Sequence, residues 1–105
     1  MTQPMHKITF FERFEADILA GRKTITLRDE SESGVIAGQT LPVHTLEADR
    51  WFCDIRIIAV QEVEFDDLSD KEAHQENMTL EQLKQVIQEI YPGITHLYKI
   101  SFELC

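Results

Sequence analysis

The sequence contains few of the residues that form disulfides, metal centres or membrane spans. Only two of its 105 residues are cysteine, and the four histidines are scattered. Neither Cys53 nor Cys105 has a cysteine or histidine partner at metal-ligand spacing, so we expect no structural disulfide, no metal and no cofactor. No apolar run approaches the roughly 20 residues that span a bilayer. Residues 1–7 show no apolar leader, which predicts a cytoplasmic protein outside the membrane.

Positive charge is also scarce. The chain has 10 Lys and Arg residues against 19 Asp and Glu, a formal charge of −9. Proteins that bind a nucleic-acid backbone usually present a basic patch and gain affinity by releasing counterions. The field of this chain repels polyanions. The charge therefore disfavours RNA binding and favours a small, neutral or weakly charged substrate.

The hydrophobic pattern indicates one folded domain over residues 1–105, and we favour a monomer. There is no repeat and no Pro/Gly/Ser linker, and 43% of the residues are hydrophobic, as in ordinary globular domains. Periodicity predicts strands at 8–11, 24–28, 40–46, 51–60 and 98–104, and helices at 13–20, 69–75 and 80–90. This order predicts an α+β fold in which a small, mostly antiparallel β-barrel is flanked by helices.

Local signals mark the limits of several of these elements. Two helix starts carry capping-box spacing, Ser69 with Glu72 and Thr79 with Gln82. In the fourth strand the apolar residues change phase after Ile57, which indicates a β-bulge or a strand buried on both faces. A small barrel would also remove exposed strand edges.

Residues 21–28 combine two cations, two hydroxyls and a third cation in an otherwise acidic chain. In a strand at 24–28, Thr24, Thr26 and Arg28 share one face, which either lines a cavity or is solvated. Lys23 precedes Thr26 by three positions, and residues three apart in a strand point to opposite faces. The two side chains can therefore meet only if the chain bends near the preceding glycine.

Four segments, residues 9–14, 17–33, 76–80 and 90–93, resemble the small bacterial ASCH-domain proteins. They are most similar to the N4-acetylcytidine amidohydrolases among them. The resemblance covers nearly the whole chain without a large insertion, although residues 35–65 match only loosely. It implies a PUA-like fold, a small β-barrel flanked by helices. It also implies that the partner is a modified nucleoside whose exocyclic amide is hydrolysed to cytidine and acetate.

The resemblance assigns the chemistry to three residues: Lys23 as proton acceptor, Thr26 as nucleophile and Glu76 as proton donor. We add Arg28 and Arg22 as candidate substrate-binding residues. A lysine acts as a base only when neutral, so burial and nearby cations should lower the pKa of Lys23. A tightly paired carboxylate would oppose that shift, and we therefore expect Glu76 to stay apart from Lys23 in the free enzyme.

Several alternatives remain open at this point. Thr26 either attacks the carbonyl or positions the attacking water. Three aromatic residues are candidates for stacking on the base: Phe10, Trp51 and Tyr91. A non-catalytic RNA-binding ASCH/PUA-like module would require a continuous basic track, of which the sequence offers only residues 22–28. A regulatory or protein-interaction domain would not bring Lys23, Thr26 and Glu76 together.

Overall fold

The structure, a computed structural model, describes residues 4–105. Residues 1–3, on which the predicted lack of a leader partly rests, lie outside the described residues. The strands are β1 (Ile8–Phe10), β2 (Ile25–Arg28), β3 (Thr40–Thr45), β4 (Trp51–Glu64) and β5 (His96–Leu104). The α-helices are α1 (Glu15–Leu19), α2 (Asp70–Gln75) and α3 (Leu80–Ile90), and single 3-10 turns lie at Glu12–Phe14, Glu30–Glu32 and Phe65–Asp67.

The five strands form one curled sheet in the order β1-β3-β4-β5-β2. β1 pairs parallel with β3, and the other three pairs are antiparallel. β1 and β2 are therefore the edges, and a hydrogen bond from Arg28 Nη2 to Thr9 O (2.7 Å) spans the opening between them. The predicted α+β fold with a mostly antiparallel barrel-like sheet is confirmed, in the form of an open half-barrel.

A β-bulge in β4 explains the apolar phase change. Ile57 pairs with Phe102, whereas Ala59 pairs with Ser101, so the register shifts across Ile58. Ile57 is buried and Ile58 is exposed. The predicted bulge is confirmed, and it lets the long β4 strand curl around the core.

The core has two parts, one on each face of β2 and β5. One cluster fills the half-barrel and includes Ile100 and Phe102. The other lies under α2 and α3 and includes Ile25, Leu27 and Leu97. Because helices cover one face of β2, all four of its residues are buried, and its polar residues face the half-barrel interior. β2 thus carries buried polar groups at the open seam of the sheet.

The helices begin and end close to the predicted residues. Capping boxes open α2 at Ser69 and α3 at Thr79, as the spacing predicted. The predicted helix at 13–20 instead splits into a 3-10 turn and the short α1. Within residues 4–105, no helix is both long enough and apolar enough to cross a bilayer.

Candidate active site

A cavity of about 150 Å³ lies at the open seam between β1 and β2, next to the C-terminal half of α3. A cavity of that volume in another protein holds one benzene ring. Its apolar walls are formed by Phe10, Phe11, Phe14, Leu46, Val86, Ile87 and Ile90. Its polar wall is formed by Thr9, Lys23, Thr26, Arg28, Glu32, Glu76 and Tyr91. The cavity therefore combines a surface for one flat ring with titratable groups.

The three predicted catalytic residues line this one cavity. Lys23 is 3% exposed, Thr26 4% and Glu76 7%. Glu76 follows the last residue of α2, and Thr26 lies in the middle of β2. α2 packs against β2 and β5. The Glu76 carboxylate, although distant from Thr26 in sequence, therefore reaches the cavity that Thr26 lines.

A bend before β2 brings Lys23 to the site. α1 ends at Leu19, and Gly21 two residues later has a φ of 76°, the left-handed conformation that glycine favours. The backbone amides of Arg22 and Lys23 both donate to Asp17 O, at 2.9 and 3.1 Å. These bonds turn the chain before the strand begins, which is the bend that the sequence required for Lys23 to approach Thr26.

The Lys23 amine is held among buried groups. Nζ donates to Ile25 O (2.9 Å) and to Glu76 Oε1. It also lies 5.5 Å from the ring centroid of Phe10 and 5.1 Å from that of Phe14. The expectation that Glu76 stays apart from Lys23 is therefore wrong. A buried lysine and a buried carboxylate each need a partner, and here each is the nearest one available to the other.

Burial controls the ionisation of Lys23 in spite of this pairing. Desolvation lowers the pKa of the amine, and the cation of Arg28 adds to the effect. Glu76 raises the pKa through its charge and its hydrogen bond, but the pKa of Lys23 still lies below the usual 10.5. The predicted lowering of the Lys23 pKa is thus confirmed, and desolvation is its main cause.

Arg28 organises the polar wall of the cavity. Its Nε donates to Thr26 Oγ1 (2.8 Å), its Nη1 to Glu32 Oε1 (2.9 Å) and its Nη2 to Thr9 O (2.7 Å). Tyr91 donates its hydroxyl to Glu32 Oε2 (2.5 Å). Burial and the Glu32 carboxylate raise the pKa of Tyr91, so its phenol is neutral. Since the Thr26 oxygen accepts from Arg28, its own proton remains available to a base.

Three residues singled out in the sequence lie away from the cavity lining. Arg22, a candidate substrate contact, is exposed and pairs with Asp17 Oδ1 (2.9 Å). It points outward because its neighbour Lys23 points inward. Trp51 is 55% exposed and donates to Asp54 Oδ1 (2.9 Å). Thr24 is exposed and precedes β2, so only Thr26 and Arg28 form the polar face.

Sequence reasoning missed the acidic partner of the arginine. No role was predicted for Glu32, although it follows Arg28 by four positions, the spacing of ion pairs on helices. The 3-10 turn at Glu30–Glu32 brings it back toward the seam. Phe14, for which no role was predicted either, lies in the 3-10 turn at Glu12–Phe14 and lines the cavity. Within residues 4–105, no group of three or more His, Cys, Asp or Glu residues is arranged to hold a metal ion.

Comparisons with known proteins bear on the fold and on the family. No protein-family model matches the sequence. The ASCH domain of Lactobacillus crispatus JV V101 superposes with a TM-score of 0.76 at 15% identity, over 96% of this chain and 80% of that chain, which shows the ASCH fold.

Curated relatives are much closer in sequence. A protein of Shewanella sp. strain W3-18-1 is 67% identical over 98 residues, which is 93% of this chain and 95% of the relative. One of Shewanella baltica strain OS155 is 63% identical over 100 residues, or 95% of each. Both relatives are named N(4)-acetylcytidine amidohydrolase. The predicted family is confirmed: the chain belongs to the N(4)-acetylcytidine amidohydrolases, a family of hydrolases with the ASCH fold.

Proposed function

We propose that this protein hydrolyses the exocyclic amide of N4-acetylcytidine to give cytidine and acetate. One observation carries the proposal: a buried amine, a buried hydroxyl and a buried carboxyl line one cavity of ring size. These are the groups that amide hydrolysis by an activated hydroxyl requires, namely a base, a nucleophile and an acid. The family of close relatives supplies the substrate class.

The two walls of the cavity suggest how the substrate binds. The pyrimidine ring would lie against the apolar wall, where Phe10 and Phe14 offer aromatic surface. The acetamido group would then face Thr26. Arg28 would assist there, because its Nε already donates to Thr26 Oγ1 and would therefore lie close to the carbon under attack.

The Lys23–Glu76 pair supplies both the base and the acid. Transfer of one proton along their hydrogen bond converts an ammonium and a carboxylate into a neutral amine and a neutral acid. Burial favours the neutral amine, because desolvation lowers the pKa of Lys23. The tight pairing therefore prepares both residues without losing a proton to solvent.

In the first step, the neutral Lys23 accepts the proton of Thr26. The Thr26 oxygen forms a bond to the acetyl carbon, and Arg28 stabilises the negative charge that develops on the carbonyl oxygen. Glu76 protonates the cytosine N4 as the C–N bond breaks. Cytidine leaves, Thr26 carries the acetyl group, and the pair is again an ammonium and a carboxylate.

In the second step, water attacks the acetyl carbon. The Glu76 carboxylate accepts a proton from the water, and the Lys23 ammonium returns a proton to Thr26 as the ester bond breaks. Acetic acid is released and gives its remaining proton to solvent to become acetate, and the pair returns to the neutral amine and the neutral acid. All three residues come from one chain, so the mechanism needs only a monomer.

The RNA-binding alternative receives less support. Two of the cations at 22–28 that it would use, Lys23 and Arg28, are 3% and 8% exposed. They have partners inside the protein and do not form a surface track. Fluorescence anisotropy with a single-stranded RNA at low and high salt would reveal tight, salt-sensitive binding if this alternative held.

The direct test is to mix the protein with N4-acetylcytidine and follow its ultraviolet absorbance while measuring the acetate released. We expect equimolar cytidine and acetate from the wild-type protein. Thr26→Val keeps the shape of the side chain and should lose at least about 10³-fold in kcat, as expected without a nucleophile. No conversion by the folded wild-type protein would overturn the function. Near-normal conversion by Thr26→Val would instead favour attack by a positioned water.

A further inference from the structure

A second buried lysine–glutamate pair lies beside the first and has no part in the proposed chemistry. Lys99 Nζ donates to Glu72 Oε2 (2.8 Å), and the two residues are 5% and 8% exposed. We propose that the Lys99–Glu72 pair is a positioning device that holds Glu76 against Lys23. The kinetic part of this inference rests on the function proposed above.

The backbone connects Glu72 directly to Glu76. The two residues are one helical turn apart, so their side chains leave the same face of α2. The Glu76 amide donates to Glu72 O (3.0 Å). A shift of Glu72 therefore moves the backbone from which the Glu76 carboxylate projects.

α2 requires such an anchor because it is short. It spans six residues, Asp70–Gln75, whereas isolated helices shorter than about 12 residues are marginal in water. Its first turn is held at Glu72, whose Oε1 accepts from Ser69 N (3.0 Å) and Oγ (2.9 Å). Its last turn is held where Thr24 N donates to Gln75 O (2.8 Å).

The strand that carries Lys99 is paired with the strand that carries Thr26. Lys99 lies in β5 directly opposite Leu27 of β2, the residue after Thr26. The ion pair therefore ties α2 to the strand pair that carries the nucleophile. Lys99 thus links α2, which Glu76 directly follows, to β2, which carries Thr26. This link keeps the distance between Glu76 and Thr26 fixed.

Two variants test this inference. Glu72→Gln removes the charge while keeping a side chain that can complete the capping box. Lys99→Met removes the ammonium while keeping an unbranched stem. We expect each to lower kcat about tenfold and to change KM less than about twofold, because a misplaced catalytic group weakens the transition state more than substrate binding.

The pKa of Lys23, measured by NMR of its side chain, separates positioning from other effects. The charged groups that act on Lys23 are Glu76, Arg28 and Asp17. If Glu76 moves away, Lys23 loses a partner that raises its pKa, so both variants should lower the pKa. A direct field effect would give opposite shifts, since one variant removes a negative charge and the other a positive one. A loss of stability alone would give no shift.

The NMR measurement needs no substrate, so it tests the positioning even if the proposed function fails. The matched control is Glu103→Gln, which breaks the exposed pair with Arg56 on β4 and β5 and should change neither readout. If a single variant does not fold, the double variant Glu72→Gln/Lys99→Met removes both charges and should regain stability. It should still lower kcat and the pKa of Lys23. Unchanged kcat and an unchanged pKa in folded variants, or opposite pKa shifts, would overturn the inference.

Discussion

Two buried lysine–glutamate pairs have opposite surroundings: Lys99–Glu72 joins β5 to α2, and Lys23–Glu76 joins the bend before β2 to the residue that follows α2. The Lys99–Glu72 pair is enclosed, and both Glu72 oxygens accept hydrogen bonds from protein groups. The Lys23–Glu76 pair lines an open cavity. Both pairs consist of a lysine and a glutamate, so the residue types alone do not decide whether a pair is structural or catalytic. A saturated pair fixes the structure, whereas a pair at a cavity can exchange protons with a ligand.

Ionisation follows the same division. Burial would raise the pKa of Glu72, but hydrogen bonds from Lys99 and Ser69 outweigh it and lower the pKa to about 2. Glu72 thus remains a carboxylate throughout the neutral range. Desolvation instead lowers the pKa of Lys23, which makes its neutral form more accessible. Glu72 is thus held in its charged form, whereas burial shifts Lys23 toward its neutral form.

The largest effect should come from removing the reactive amine. Lys23→Met deletes the base while keeping an apolar stem in the cavity, and we expect kcat to fall by about 10³-fold. KM should change much less, because the amine acts mainly in the transition state. Steady-state kinetics on N4-acetylcytidine would check this. A raised KM at unchanged kcat would show that Lys23 only binds substrate.

The next effect should be on stability and should belong to the other pair. Glu72→Ala leaves the Lys99 ammonium buried without a partner and should cost about 3 kcal/mol of unfolding free energy. Glu103→Ala breaks an exposed pair and should cost at most about 1 kcal/mol. Urea denaturation of both variants measures the difference. Equal losses would mean that burial does not distinguish the two pairs.

A smaller effect should come from Arg28, which joins Thr26 to the rest of the polar wall. Arg28→Lys keeps the charge but loses the fork that contacts Thr26, Glu32 and Thr9 together. We expect kcat to fall about 10²-fold, as when one oxyanion donor is removed. Full activity in Arg28→Lys would show that charge alone is sufficient at this position.

The smallest effect should be the pH dependence of stability due to Glu72. Its pKa is about 2 in the folded protein against the usual 4.5. A lowered carboxyl pKa stabilises the fold above pH 4.5, and this contribution is lost as the pH falls toward 2. Between pH 7 and pH 3 the loss should be about 2 kcal/mol. Urea denaturation at both pH values should show a smaller loss in Glu72→Gln, and an equal loss would contradict the assignment.

Local patterns in the sequence predicted much of the fold. The limits of α3 and both capping boxes were predicted correctly because the relevant groups lie within four residues of one another. The β4 bulge was also visible, since a period of two breaks at Ile57. The predicted barrel is open, because the gap between β1 and β2 depends on how the whole sheet curls.

The site was harder to predict because its contacts are distant in sequence. Lys23 and Glu76 are 53 positions apart, and no spacing rule connects them. Their roles came from the family resemblance, and reasoning about charge alone predicted that they would stay apart. That reasoning omitted the cost of leaving two buried charged groups without partners. The position of Arg22 outside the cavity lining was equally hard to predict, because the bend before β2 decides which cation faces inward.

The central claim is that Lys23 and Glu76 share one catalytic proton, and Lys23 can report it directly. Its side-chain pKa in the wild-type protein should be measured by NMR and compared with the pH profile of kcat/KM for N4-acetylcytidine. We predict that Lys23 titrates below its usual 10.5 and that activity falls at the same pH as the pair loses its proton. A Lys23 that titrates at 10.5 or above, or activity that is indifferent to its titration, would contradict the account.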